Sequence, residues 1–213
     1  MKEVINKIVR VMIYSDFLMI GAEGFFTPMF PIFVTKNIQG ATLETVGFSI
    51  TLYWIIKSLV QLPIAKYVDK HPGEKDDFFF MFVGSVLFAL TPLLLLGASQ
   101  VWHIYVIQAL LGVWAACLFP TYAAIFTRHI DKHREGFEWS LHSLAVGVAY
   151  GSAAGIGGWL AQHFGFMPII LLYSLIMVSG ALVLLIVRAE ICADGKEHNP
   201  KAREPDRNGR RVT

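Results

Sequence analysis

Two of the five segments that separate this chain's long apolar runs hold no lysine or arginine, and a third holds only Lys36. Cysteine is nearly absent: Cys117 lies in an apolar run and Cys192 in a polar tail, which excludes a disulfide framework or a multi-cysteine metal site. Charged residues are also sparse, 16% against 55% hydrophobic, and the mean hydropathy is +0.54. That apolar share is too high for an ordinary soluble domain. Phosphate-binding loops, haem pairs and nucleotide motifs are missing. Gly151-Ser152 has His142 on the same run, which does not fit an intramembrane serine protease. His129 with His133, and Glu138 with His142, have helical spacing, but neither pair converges three or four ligands. His129 and His133 are therefore expected in a solvated loop, and Asp69, Glu74, Asp76 and Asp77 need no metal. No enzyme activity, cofactor, metal or nucleic-acid partner is expected.

What the sequence does have is six apolar runs, near residues 11–34, 46–66, 78–98, 102–127, 139–162 and 167–187. Each is about long enough to cross a ~30 Å hydrocarbon layer. The cations alternate sides. Lys2, Lys7 and Arg10 precede the first run, Lys66, Lys70 and Lys75 follow the second, Arg128, Lys132 and Arg134 follow the fourth, and seven follow the sixth. Cationic loops resist translocation, so both termini and these loops are expected in the cytoplasm. The predicted fold is all-α, with six transmembrane helices in the plasma (inner) membrane, N-in and C-in. The first run follows a basic stretch, as a signal peptide would. It is too long for that and carries Asp16 and Glu23, so it is expected to be retained.

Local signals set the boundaries. Pro28 and Pro31 should disturb the end of the first helix, and Pro120 should kink the fourth. Thr42 is the expected N-cap of the second, with Glu44 in its first turn. Pro72-Gly73 breaks the second loop, and Gly165 with Pro168 breaks the fifth. Residues 1–10 form a cytoplasmic N-terminus and 11–187 the membrane domain. Residues 188–213 are polar and basic, so a disordered tail is expected there.

Ionisable groups within apolar runs are costly and point to function. Asp16 and Glu23 lie two turns apart on one face, ~10 Å along the axis. At ~1.5 Å per residue, Asp16 stands ~9 Å, Lys57 ~14 Å and Glu23 ~20 Å above the inner boundary. Lys57 thus falls between two carboxylates on an adjacent helix, either in an acid–base cluster or snorkelling to the interface. Glu23 is the one that neither end of the membrane readily solvates. Gly147, Gly151 and Gly155 repeat every four residues, a smooth strip suited to close helix packing. Trp54, Trp114, Tyr122 and Tyr150 line a cavity or pack between helices.

The stretch from Pro63 to Lys75 resembles the cytoplasmic loop signature of the major facilitator superfamily, through Asp69, Lys70, Gly73 and Lys75. Ala65 replaces the signature's first glycine, one residue is inserted, and Glu74 takes a basic position. The fifth run, ending in Gly157-Gly158, is similar to the family's fifth helix. The resemblance covers about residues 8–188 and implies one six-helix half of a twelve-helix transporter. It implies that helices 1 and 4 line a central cavity, 2 and 5 face the other half, and 3 and 6 face lipid. Asp16, Glu23, Gln108, Trp114 and Tyr122 are then cavity residues, and Gly147, Gly151, Gly155 and Gly158 lie at the packing interface. Gln108 replaces the arginine of proton-coupled members, and Ala154 the proline of the antiporter signature. Two readings follow. The first is a small-molecule or ion transporter half working as a parallel homodimer or with a second six-helix half, with Glu23 or Asp16 as the proton or cation site and Lys57 a further candidate. The second is a truncated or accessory membrane protein that keeps the fold without transport.

Overall fold

A computed structural model describes residues 5–70 and 74–194. Six helices among them are long and apolar enough to cross a membrane: α1 Lys7–Asn37, α2 Leu43–Lys70, α3 Glu74–Gly97, α4 Val101–His129, α5 Glu135–Phe164 and α6 Phe166–Cys192. The described residues form no strand beyond an isolated bridge between Gln39 and Gln100. The protein is an all-α, multi-pass membrane protein. In lipid every backbone group must be satisfied within the chain, and helices do this segment by segment.

The local signals explain most boundaries. Asn6 caps α1, its side chain accepting from the Ile8 N–H at 2.9 Å. Pro28 and Pro31 tighten α1 into a 3-10 turn over Thr27–Met29 before it resumes at Phe30. The Thr42 hydroxyl accepts from the Thr45 N–H at 3.4 Å, and the Thr45 hydroxyl accepts from the Thr42 N–H at 3.1 Å. Gly165 turns the chain at φ +78°, a left-handed value that favours glycine. α4 remains helical through Pro120. The third helix ends in 3-10 turns over Thr91–Gly97. Pro92 has no N–H to continue the ladder there. The Pro72-Gly73 break lies outside the described residues.

The six helices form two triplets, α2–α4–α3 and α5–α1–α6, in which α4 and α1 are the central members. Close approach makes each triplet. A Cβ on Gly157 would lie 2.8 Å from Phe25 Cα of α1, and one on Gly112 would lie 2.8 Å from the Tyr53 carbonyl of α2. α3 against α6 joins the triplets, while α1 and α4 meet sparingly. Coverage is uneven. In the most apolar window, 6% of α2 residues and 17% of α5 residues are buried, against 44% in the other four helices.

Both described ends of the chain lie at one end of the bundle, called here the termini end. There the last helix differs from the sequence expectation. Residues Arg188–Asp194 are helical, seven residues into the expected tail. Ile191, one turn beyond Val187, is buried with Ile8, Val9 and Phe126, and Lys7 pairs with Glu190. This apolar anchor and ion pair carry the helix onward. Residues 195–213 lie outside the described residues. His129 also departs from its expected solvated loop. It is buried at the end of α4, with Nε2 3.4 Å from a Glu74 carboxylate oxygen at the start of α3. Arg128 pairs with the buried Asp77 and lies 3.7 Å from Glu74. Antiparallel α3 and α4 bring an acidic first turn against a basic last turn, each sign at the helix end whose dipole it complements.

Candidate functional site

Between α1 and α4 the bundle opens into a cavity of about 290 Å³. Glu23, Phe26 and Phe30 enter it from α1, Tyr53 and Trp54 from α2, and Gln108 from α4. Phe88 of α3 and Tyr173 of α6 form part of its floor, so the helices expected to face lipid also supply inward faces. Phe26 organises this wall, lying edge-on to Phe30 at 6.0 Å and to Tyr173 at 6.3 Å. The helical repeat buries Met19, Ala22 and Phe26 on one side of α1 and leaves Glu23 turned toward the opening. Among the described residues Glu23 is the only carboxylate lining this cavity, and its lining otherwise is mostly apolar and aromatic. Exposed Thr27 and Trp54 lie in its wall.

A second, smaller cavity of about 30 Å³ lies toward the termini end. Asp16, Glu23 and Tyr122 line it together with apolar side chains of α1, α4 and α6. Glu23 therefore borders both spaces. The Tyr122 hydroxyl donates to the Met12 carbonyl at 3.2 Å, and its ring stacks on Phe126 at 5.9 Å. Asp16 is bound to His142 of α5, with Oδ2 2.6 Å from Nε2. The imidazole is held among aromatic rings, 5.4 Å from Phe126, 5.5 Å from Trp139 and 5.9 Å from Tyr122.

The structure brings Asp16, Glu23, Gln108 and Tyr122 to these two cavities. Lys57 sits over rings that border them: its Nζ lies 3.9 Å from the Phe119 ring centre, 4.5 Å from Trp54 and 6.0 Å from Tyr53. Aromatic faces attract an ammonium through the ring quadrupole, so these rings help to hold it there. Trp114 is half-buried and directs its backbone carbonyl at Gly84 of α3, apart from both cavities. Asp69, Lys70 and Lys75 are exposed at the termini end, and Gly73 lies outside the described residues.

Gly147, Gly151 and Gly155 form an exposed strip on α5, where an added Cβ would meet nothing within 4 Å. A Cβ on Gly158 would be 3.6 Å from the Met29 methyl. The face of α5 that packs on α1 is instead Ala149, Ala153 and Gly157.

Sequence reasoning missed His142, Tyr53 and Tyr173. His142 was available from depth: seven residues into α5 is ~10 Å, close to the ~9 Å of Asp16. Tyr53 and Tyr173 carried no such signal, since each is a single hydroxyl in a long apolar run.

The comparisons fit this architecture. The chain is 29% identical over 161 residues to multidrug resistance protein MdtG of Enterobacter lignolyticus (strain SCF1), covering 74% of this chain and 36% of that protein. It is 25% identical over 197 residues to multidrug resistance protein MdtG of Salmonella typhimurium (strain LT2), covering 88% and 46%. The chain thus spans less than half the length of these curated relatives. A crystal structure of the peptide transporter POT in complex with sulfate superposes at a TM-score of 0.70 and 15% identity, covering 88% of this chain and 39% of that one. That likeness concerns the fold. The sequence profile of the Major Facilitator Superfamily matches residues 13–211, and the chain belongs to that family.

Proposed function

We propose that this chain is one half of a transporter that moves a small organic solute by alternating access, with the solute in the α1–α4 cavity and Glu23 as its proton- or cation-exchanging group. The observation that carries this reading is a single carboxylate set in an aromatic-walled cavity of about 290 Å³. Such a site suits a lipophilic cation, which gains from both ring faces and the negative charge. The relatives it matches are named for multidrug resistance, which supports a small organic solute.

The second half comes from a second copy of the chain. Two copies related by a two-fold along the membrane normal would lay the poorly covered α2 of one against α5 of the other. The Gly147, Gly151 and Gly155 strip would then receive the partner's backbone. From the positive-inside count we also propose that both termini lie in the cytoplasm, with the protein in the plasma (inner) membrane.

Uptake of tetraphenylphosphonium into proteoliposomes tests the site. The wild-type chain should accumulate it in response to a pH gradient. Glu23→Gln keeps the shape and removes the titration, and should abolish that response while leaving the fold and dimer intact. Asp16→Asn should do less. Normal pH-dependent uptake by Glu23→Gln would remove the coupling role.

A further inference from the structure

We infer that His142 and Asp16 form a proton port on the termini side of Glu23: a proton taken up by the imidazole passes to Asp16 and then, across the small cavity, to Glu23. This rests on the reading of Glu23 as a proton-exchanging group, and adds the route by which the proton arrives.

Three features carry it. His142 Nε2 and Asp16 Oδ2 are 2.6 Å apart, within direct transfer distance, and each side chain is 15% accessible, so the bundle itself does not seal the pair. Beyond Asp16 comes a cavity of about 30 Å³ that Glu23 also lines. One water needs roughly 10–15 Å³ and two to four polar partners. Asp16, Glu23 and Tyr122 are the polar residues that line it. Finally, Glu23 borders the large cavity as well, so one residue faces both the small cavity that Asp16 lines and the proposed solute site.

The transfer balances as one proton moved. Nε2–H of the imidazolium gives its proton to Asp16, leaving neutral His142. Protonated Asp16 gives its proton to a water, which gives one of its own to Glu23. His142 then takes up the next proton from the termini side.

Other ionisable groups of the neighbouring helices do not interrupt the series. α2 contributes Lys57, held over aromatic rings, and Tyr53; α4 contributes Tyr122; α5 contributes Glu138 and Tyr150; α6 contributes Tyr173. The tyrosines act near neutral pH as hydrogen-bonding groups rather than as acids. A latch between α1 and α5 is the competing role for the pair. The seam argues against it, because Gly24 and Gly157 set the two backbones in direct contact: a Cβ on Gly24 would lie 2.6 Å from the Tyr150 carbonyl. The helices stay together while the proton passes.

Time-resolved infrared spectroscopy of uniformly oriented proteoliposomes tests the route. A membrane-impermeant caged proton, released on one side at a time, serves as probe. The carboxylic-acid band of Glu23 is identified as the band that Glu23→Gln removes. In the wild type it should rise after release on either side. In His142→Gln and in Asp16→Asn, its rise after release on the termini side should slow at least tenfold, with the far-side response unchanged. That unchanged response also shows that each variant is folded. Should one variant lose it, the other decides.

Wild-type rates from the termini side in both variants would overturn the port while leaving Glu23 as the exchanging group. If Glu23→Gln removes no band, Glu23 does not titrate, and both readings fall.

Discussion

Replacing Gly157 by alanine adds one methyl group at the tightest seam of the bundle. That Cβ would lie 2.8 Å from Phe25 Cα and 2.9 Å from its carbonyl carbon, where ordinary contact begins at 3.4 Å. The obstacle is backbone, which cannot rotate aside, so α5 must retreat from α1 by roughly 0.6 Å or more. That retreat also loosens the Gly24–Tyr150 approach farther along the same seam. Overpacking of this kind costs about 1–3 kcal/mol. For a chain of this size, each kcal/mol lowers the melting temperature by about 2–4 °C, so a fall of about 2–12 °C is expected. Thermal unfolding of the purified protein in detergent, followed by tryptophan fluorescence, reads it. Gly136→Ala is the control, because its Cβ meets nothing within 4 Å and it lies off the strip proposed to meet a second copy. It should leave the melting temperature of the chain within about 2 °C of wild type. If Gly157→Ala is as stable as wild type, or if both variants fall equally, the α1–α5 seam is wrong.

The remaining expectations concern other parts of the molecule. Gly151→Leu places a bulky group on the strip proposed to meet a second copy, so it should reduce association without lowering monomer stability; a stable, active dimer would put that strip against lipid. Arg128→Ala leaves the buried Asp77 carboxylate without its charged donor and should cost about 1–3 kcal/mol in thermal or denaturant unfolding; an unchanged midpoint would show the pair to be dispensable. In a chain freed of Cys117 and Cys192, single cysteines at Lys36 and Gln100 should react with an impermeant reagent from outside intact cells. Cysteines at Lys75, Lys132 and Lys201 should react from inside, and external labelling at 132 would contradict the orientation.

The number of helices and their span were readable because hydrophobic length is nearly a one-dimensional property. Thr42, Pro28 and Gly165 act on the backbone next to them, so their effects were readable too. Contacts between helices were not. Lys57 shares a depth with two carboxylates, yet depth does not give rotation about the helix axis, and rotation turns it onto Phe119 and Trp54. The face of α5 that meets α1 carried no signal of its own. Gly147, Gly151 and Gly155 were the conspicuous repeat, whereas Ala149, Ala153 and Gly157, two residues out of phase, meet α1. Pro92 was passed over within its apolar run; the helix tightens there, whereas α4 stays helical through Pro120, so a proline alone does not set the outcome. Asp16 with His142 joins residues 126 apart, which no local pattern encodes.

The claim on which the transport reading depends is that one copy is half of the working unit. Light scattering with detergent subtraction measures the protein mass of the purified chain directly. With 23.8 kDa per chain, the account predicts twice that mass, about 48 kDa, in a detergent that preserves the fold. A folded chain that stays at 23.8 kDa at every concentration would contradict it.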